Sequence, residues 1–283
     1  MSENKLDIEE YFIKPDLNFE KEEFQFLLYL KEDKNSGVRD CSKMLLATRG
    51  GTEGIDFIVQ FACSLAFGKE MLFLVPQKKV KSLIFDVESH AGSHITKRIK
   101  IMSEYLSNKY KYKQCEILSY LKDNVLIANK LFKNMLKECF VQTDYDVLLD
   151  YKKINEIIKV CKKYNINLII INSVMHLLNA EDYGRTYLLF CSEFNEAEIN
   201  VLTLSYLTNN IVTEEEFEDI YGGMEFINYN RFILSLDYDN SSECYYLKIL
   251  KGNEINYLYQ NKKYMCEYHP NFRHVFVETK CRN

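Results

Sequence analysis

Proline and glycine are scarce in this chain, with three and ten copies among 283 residues. So few breakers exclude long flexible linkers and favour regular structure. No apolar run approaches the roughly 20 residues of a membrane helix, so no membrane partner is expected. There is no basic excess either. The net charge is −5, so no global field draws the chain to nucleic acid, and any such contact must come from local patches. None of the nine cysteines forms a C-x-x-C pair. His and Cys residues lack metal-ligand spacing, so no metal is expected. His90 and His94 are four apart, but no third ligand stands near them. Most cysteines sit in apolar stretches such as "FACSLAF" and "IIKVCKKY". They read as reduced, buried thiols of a cytoplasmic protein. The first residues, "MSENKLDIEEYF", are acidic, unlike the basic start of a signal peptide.

What is present is an alternation of strands and helices. "KMLLAT" (43–48) is a short apolar strand, followed by the glycine-rich "RGGTEG". The next segment places Ile58, Phe61, Ala62 and Leu65 at i, i+3, i+4 and i+7, the spacing of an amphipathic helix. Gly68 is its expected C-cap. "MLFLVP" and "KSLIFDVES" follow as strands. A helix is predicted over 93–107, with Ser93 as N-cap and Ile95, Ile99, Met102 and Leu106 on one face. Two more are predicted near 125–138, through Ile127, Leu131 and Met135, and over 151–164, through Ile154, Ile157, Ile158 and Cys161. "INLIIINS" (166–173) carries an unbroken apolar run. It predicts a strand buried on both faces, hence a central parallel sheet, and it is expected beside "MLLAT". "EINVLTLSYL" (198–207) is another such strand. The tail alternates as antiparallel strands in "RFILSLDY", "CYYLKILKG" and "EINYLYQ". The expected fold class is α/β, a mostly parallel central sheet flanked by helices with an antiparallel β extension at the C-terminal end. Residues 1–40 read as an arm or peripheral cap, and 41–283 as one domain.

Strand, glycine loop and helix are also the layout of a phosphate-binding loop. In its order of elements, over roughly residues 37 to 260, the chain resembles the RecA-like ATPase core of the RepA-type hexameric replicative helicases. The resemblance implies a nucleotide loop at Gly50, Gly51, Thr52, Glu53, Gly54, Ile55 and Asp56. It places the Walker B position at Asn172, at the end of "LIIIN", and the sensor position at Ser205 or Tyr206. Glu88 falls where the family carries the acid that activates water. Arg231 falls on the arginine that reaches a neighbour's phosphate, and Lys251 on a second basic residue. It also implies a homo-oligomer and contact with single-stranded or double-stranded DNA.

The sharpest motifs are altered. A working loop reads G-x-x-x-x-G-K-[ST], in which Lys neutralises phosphate and the hydroxyl holds Mg²⁺. Here Glu53 falls on the last glycine, Gly54 on the lysine and Ile55 on the hydroxyl. A shift by one residue puts Ile55 and Asp56 there instead. Carboxylates at a helix N-terminus suit the dipole but repel triphosphate. Asn172 lacks the charge that holds Mg²⁺. The expectation is therefore a pseudo-ATPase without cofactor, acting as an oligomeric structural or regulatory component in replication of a plasmid, phage or other mobile element. One alternative is an atypical ATP/Mg-dependent motor drawing on Arg49 or Lys43. Another is a protein-binding module that uses neither nucleotide nor nucleic acid. Glu53 or Asp56 is expected to cap the helix. Arg231, from the same or a neighbouring subunit, is expected to pair with Glu53. "LSNKYKYKQ" (106–114) interleaves lysine and tyrosine as a candidate grip for nucleic acid, and 263–276 as a candidate partner surface.

Overall fold

A computed structural model describes residues 25–49, 53–88, 92–144, 146–178, 183–207, 220 and 227–279. The strands are β1 (Phe26–Leu30), β2 (Asp33–Arg39), β3 (Lys43–Thr48), β4 (Leu74–Pro76), β5 (Ser82–Asp86), β6 (Val125–Ile127), β7 (Phe140–Gln142), β8 (Val147–Leu149), β9 (Leu168–Asn172), β10 (Asn200–Tyr206), β11 (Phe232–Asp239), β12 (Cys244–Gly252), β13 (Lys263–His269) and β14 (Phe272–Glu278). The helices are α1 (Glu53–Phe67), α2 (Ser93–Tyr110), α3 (Gln114–Asn124), α4 (Lys130–Lys137), α5 (Tyr151–Lys163) and α6 (Tyr183–Glu196).

Nine strands form one sheet in the order β14-β13-β12-β11-β3-β10-β9-β5-β6. From β11 to β6 every pair is parallel. From β11 to β14 every pair is antiparallel. This is the expected α/β architecture with its C-terminal β extension. The apolar run of β9 is buried on both faces, as its composition requires. Leu168 and Ile170 enter the layer with α1, α2 and α3, while Ile169 and Ile171 enter the layer with α4, α5 and α6.

Several local expectations change. β9 does not lie beside β3, because β10 pairs with both and separates them. The helix expected near 125–138 is interrupted. Val125–Ile127 is the edge strand β6, and α4 begins only after Asn129, whose side chain accepts from the Phe132 amide. Two helical turns and one short strand share a 3.6-like pattern over such a brief stretch, so periodicity cannot separate them. Leu131, read as a core position, is 78% exposed. Gly92 in the left-handed region, not Ser93, caps α2. "EINYLYQ" forms turns rather than a strand, and the extension is completed by β13 and β14. Gly68 does end α1, at φ +68.

Within the segment read as an arm, β1 and β2 form a hairpin that pairs with β4 in a small separate sheet. Leu27, Leu28, Leu30 and Val38 are buried in the main core layer there. β4, the end of "MLFLVP", therefore belongs to this small sheet. Gly37 is required by a close approach. A Cβ there would lie 2.2 Å from the Leu28 carbonyl oxygen.

Candidate functional site

β3 ends at Thr48 and α1 begins at Glu53. Gly50, Gly51 and Thr52 lie outside the described residues. Gly54, at the position matched to lysine, is packed tightly. A Cβ would sit 2.9 Å from Leu204 Cδ1 and 3.3 Å from Thr48 Cγ2, so any side chain would have to displace Leu204. Ile55 packs against the core layer beneath. The carboxylates of the first turn are both engaged. Tyr245 Oη donates to Glu53 Oε1 at 3.3 Å, and burial together with Glu53 pushes the Tyr245 phenol up to about 12. Asp56 is 1% exposed and faces inward, where Arg98 Nε donates to its Oδ1 and Tyr268 Oη to its Oδ2 at 2.6 Å. His274 Nδ1 lies 2.9 Å from the same Oδ2. Asp56 is thus no helix cap. It is the centre of a buried polar cluster spanning α1, α2, β13 and β14. Sequence reasoning missed Arg98 and read Tyr268 and His274 only as part of a candidate partner surface, because nothing in their spacing announces a contact across some 40 or 200 residues.

A second cluster stands at the carboxyl end of β5, β9 and β10, the edge where open α/β sheets place ligands. Asp86 and Asn172 are register partners on β5 and β9, and both are fully buried. Asn172 Nδ2 donates to Asp86 Oδ1 at 2.9 Å. His94 Nε2 lies 3.2 Å from Asp86 Oδ2, and Lys133 Nζ donates to the Asp86 backbone carbonyl at 3.1 Å. Asn172, expected at a Walker B position, is an amide turned onto a neighbouring acid. Asp86 was not singled out in the sequence, although it sits two residues before Glu88. Glu88 accepts from Tyr206 Oη at 2.6 Å, and His176 Nδ1 lies 3.6 Å from it. Burial and Glu88 push the Tyr206 phenol above its ordinary range. Ser205, the other sensor candidate, is fully buried. The fold brings Asn172, Glu88 and Tyr206 to one edge.

It does not bring Arg231 or Lys251 there. Arg231 is exposed, and its amide donates to the Lys43 carbonyl at the opposite end of β3. Six strand residues, about 20 Å at roughly 3.3 Å each, separate that end from the loop. A pairing of Arg231 with Glu53 of the same chain is thereby overturned. Lys251 Nζ donates to the carbonyls of Ile227 and Asn228, at 3.1 and 2.7 Å, at the same far end. Burial lowers its pKa. Of the alternative cations, Lys43 Nζ donates to Ser192 Oγ at 2.8 Å. Arg49, which does flank the loop, forms an ion pair with Asp237 at 2.7 Å.

Among the described residues no group of three or more His, Cys, Asp or Glu side chains is arranged to hold a metal. No described helix is long and apolar enough to cross a membrane. The thiols of Cys139, Cys161, Cys191 and Cys266 are buried, which pushes each up to about 12.

No family model matches the sequence, and no curated protein matches it. Solved structures do. One is the crystal structure of a KaiC-like protein, PH0186, from the hyperthermophilic archaeon Pyrococcus horikoshii OT3. It superposes with a TM-score of 0.56 over 91% of this chain and 99% of that one, at 17% identity. At that identity the likeness shows the fold. The core is RecA-like.

Proposed function

We propose that the chain is a RecA-fold scaffold that does not hydrolyse Mg-ATP, a structural or regulatory pseudo-ATPase. The observation that carries this reading is Asn172. At the position where a carboxylate would hold Mg²⁺ through its water shell, a fully buried amide spends its N–H on Asp86. The loop side agrees. Gly54 has no room for a side chain unless Leu204 moves, and Glu53 opens the helix where phosphate would need positive charge. Charge neutralisation supplies most of the catalysis in phosphoryl transfer. A site with a carboxylate in place of a cation works against it. The nearby arginine, Arg49, is committed to Asp237.

Calorimetry with Mg-ATP tests this. Binding is expected to be weaker than a Kd of roughly 10 μM, about −7 kcal/mol. Tighter binding, or phosphate release abolished by Glu88→Gln, would overturn the reading.

The finer parts of the proposal are assembly into an oligomer and contact with DNA in replication of a mobile element. Arg231 supports the first, because it is exposed at the sheet end away from its own loop and so is accessible to another subunit. The exposed lysines 109, 111 and 113 beside Tyr110 and Tyr112 support the second. Sedimentation of wild type against Arg231→Met tests assembly. A salt series of DNA binding, whose slope counts the phosphates neutralised, tests the other. A flat slope removes DNA from the proposal.

A further inference from the structure

The polar residues of α1 lie in a row. Asp56, Gln60 and Ser64 follow at i, i+4 and i+8, and each is buried, at 1, 3 and 3% exposure. A buried polar stripe on a helix needs partners, and β14 supplies those of Gln60. Gln60 Nε2 donates to the Phe276 carbonyl at 2.8 Å, and the Phe276 amide donates back to Gln60 Oε1 at 2.7 Å. The side chain thus does for Phe276 what a tenth strand would do, and it shields that part of an edge that would otherwise invite strand addition.

One turn earlier, Asp56 takes donors from three different elements. Arg98 comes from α2, Tyr268 from β13 and His274 from β14. Arg98 is itself buried, and its Nη1 donates to the His94 carbonyl at 3.2 Å. His274 holds a left-handed backbone, at φ +74, which a non-glycine residue adopts only at a cost. A guanidinium, a phenol and an imidazole converging at the first turn of a helix are the groups that recognise a free anion. Here the anion is a side chain.

We infer that the chain contains a carboxylate-recognition site filled by its own Asp56, and that the filled site fastens the β13–β14 hairpin to α1. The ligand class is a small monocarboxylate, the size of formate or acetate, since the space is that of one carboxyl group. Were the side chain removed, Arg98 would be left as a buried charge without its counter-ion, which is strongly unfavourable. A soluble carboxylate of the right size would relieve it.

The experiment is chemical rescue. Asp56→Gly is melted in sodium formate, sodium acetate and sodium chloride at equal ionic strength. Its Tm is expected to fall well below wild type in chloride. In formate or acetate it is expected to rise by several degrees with the logarithm of concentration, as ligand linkage requires. Wild type and the double variant Asp56→Gly/Arg98→Met should show no such difference between salts. Equal melting of Asp56→Gly in all three salts overturns the inference.

Should that variant not fold in chloride, refolding from urea reads the same property. Recovery that depends on formate supports the site, and equal failure in both salts overturns it. Hydrogen exchange tests the fastening. The Phe276 amide should exchange faster in Asp56→Gly and slow again with formate, while the Ile170 amide stays protected. Unchanged Phe276 protection overturns that half. No nucleotide enters these measurements, so their outcome is separate from that of the Mg-ATP titration.

Discussion

In β9, Leu168, Ile169, Ile170 and Ile171 are all fully buried and alternate between two apolar layers. In β14 the deeply buried residues are Val275 and Phe276, and the strand meets α1 through Asp56 and Gln60. Both strands belong to one sheet. The parallel half is held by apolar burial, which is non-directional and tolerates small shifts. The antiparallel end adds directional hydrogen bonds and a buried ion pair, which work only in one register. The helix α1 is the element to which the β13–β14 hairpin is tied. The same contrast separates Asn172 from Asp56. Asn172 points toward its strand neighbour Asp86 at the carboxyl end of the parallel strands. Asp56 turns away from that end into the core.

Four substitutions sharpen or break this contrast. Ile170→Asp places an unpaired charge between two apolar layers, a cost beyond the stability of an ordinary domain. The variant should be insoluble or lack a cooperative melt, and an unchanged Tm would show that the two-layer reading of β9 is wrong. Arg98→Met leaves Asp56 buried without its cation. Breaking such a pair costs about 3–5 kcal/mol, and calorimetry should find a Tm lower by about 10 °C. A loss under about 1 kcal/mol would mean that the seam contributes no more than a surface pair does.

Gln60→Leu keeps the volume but strands the Phe276 amide and carbonyl. The expected cost is about 1–3 kcal/mol in a urea melt, with greater aggregation as the β14 edge opens. A neutral result would place the stability of the hairpin wholly in Val275, Phe276 and their apolar neighbours. Arg231→Met should leave the melting of the isolated chain within about 0.5 kcal/mol, because Arg231 is exposed. A larger loss would mean that Arg231 serves its own chain rather than a neighbour.

The central sheet could be read from the sequence because burial on both faces leaves no polar alternation. "LIIIN" and "LLAT" have no other stable place in water. The order of strands could not be read, and β10 intervenes between β3 and β9 because parallel pairing imposes no constraint on which apolar strand is the neighbour. Short elements failed for another reason. β6 and α4 together span too few residues for a period to declare itself. At the candidate site, Glu53, Gly54, Asp56 and Asn172 could be read one by one as residues that do not fit the charge chemistry expected of a phosphate loop. Their partners were invisible. Asp86 and Arg98 were not singled out, and Tyr268 and His274 were read only as part of a candidate partner surface over 263–276.

The sequence alone therefore determined the α/β alternation, the doubly buried strands and the residue types that stand at positions 53–56 and 172. All of these follow from residue type and local periodicity. Only the tertiary structure decided where the side chains of Asp56 and Asn172 went. A carboxylate's partner is set by which helices and strands the fold packs within 3 Å of it. That juxtaposition joins Asp56 to residues 42, 212 and 218 positions away, farther than any local pattern can report.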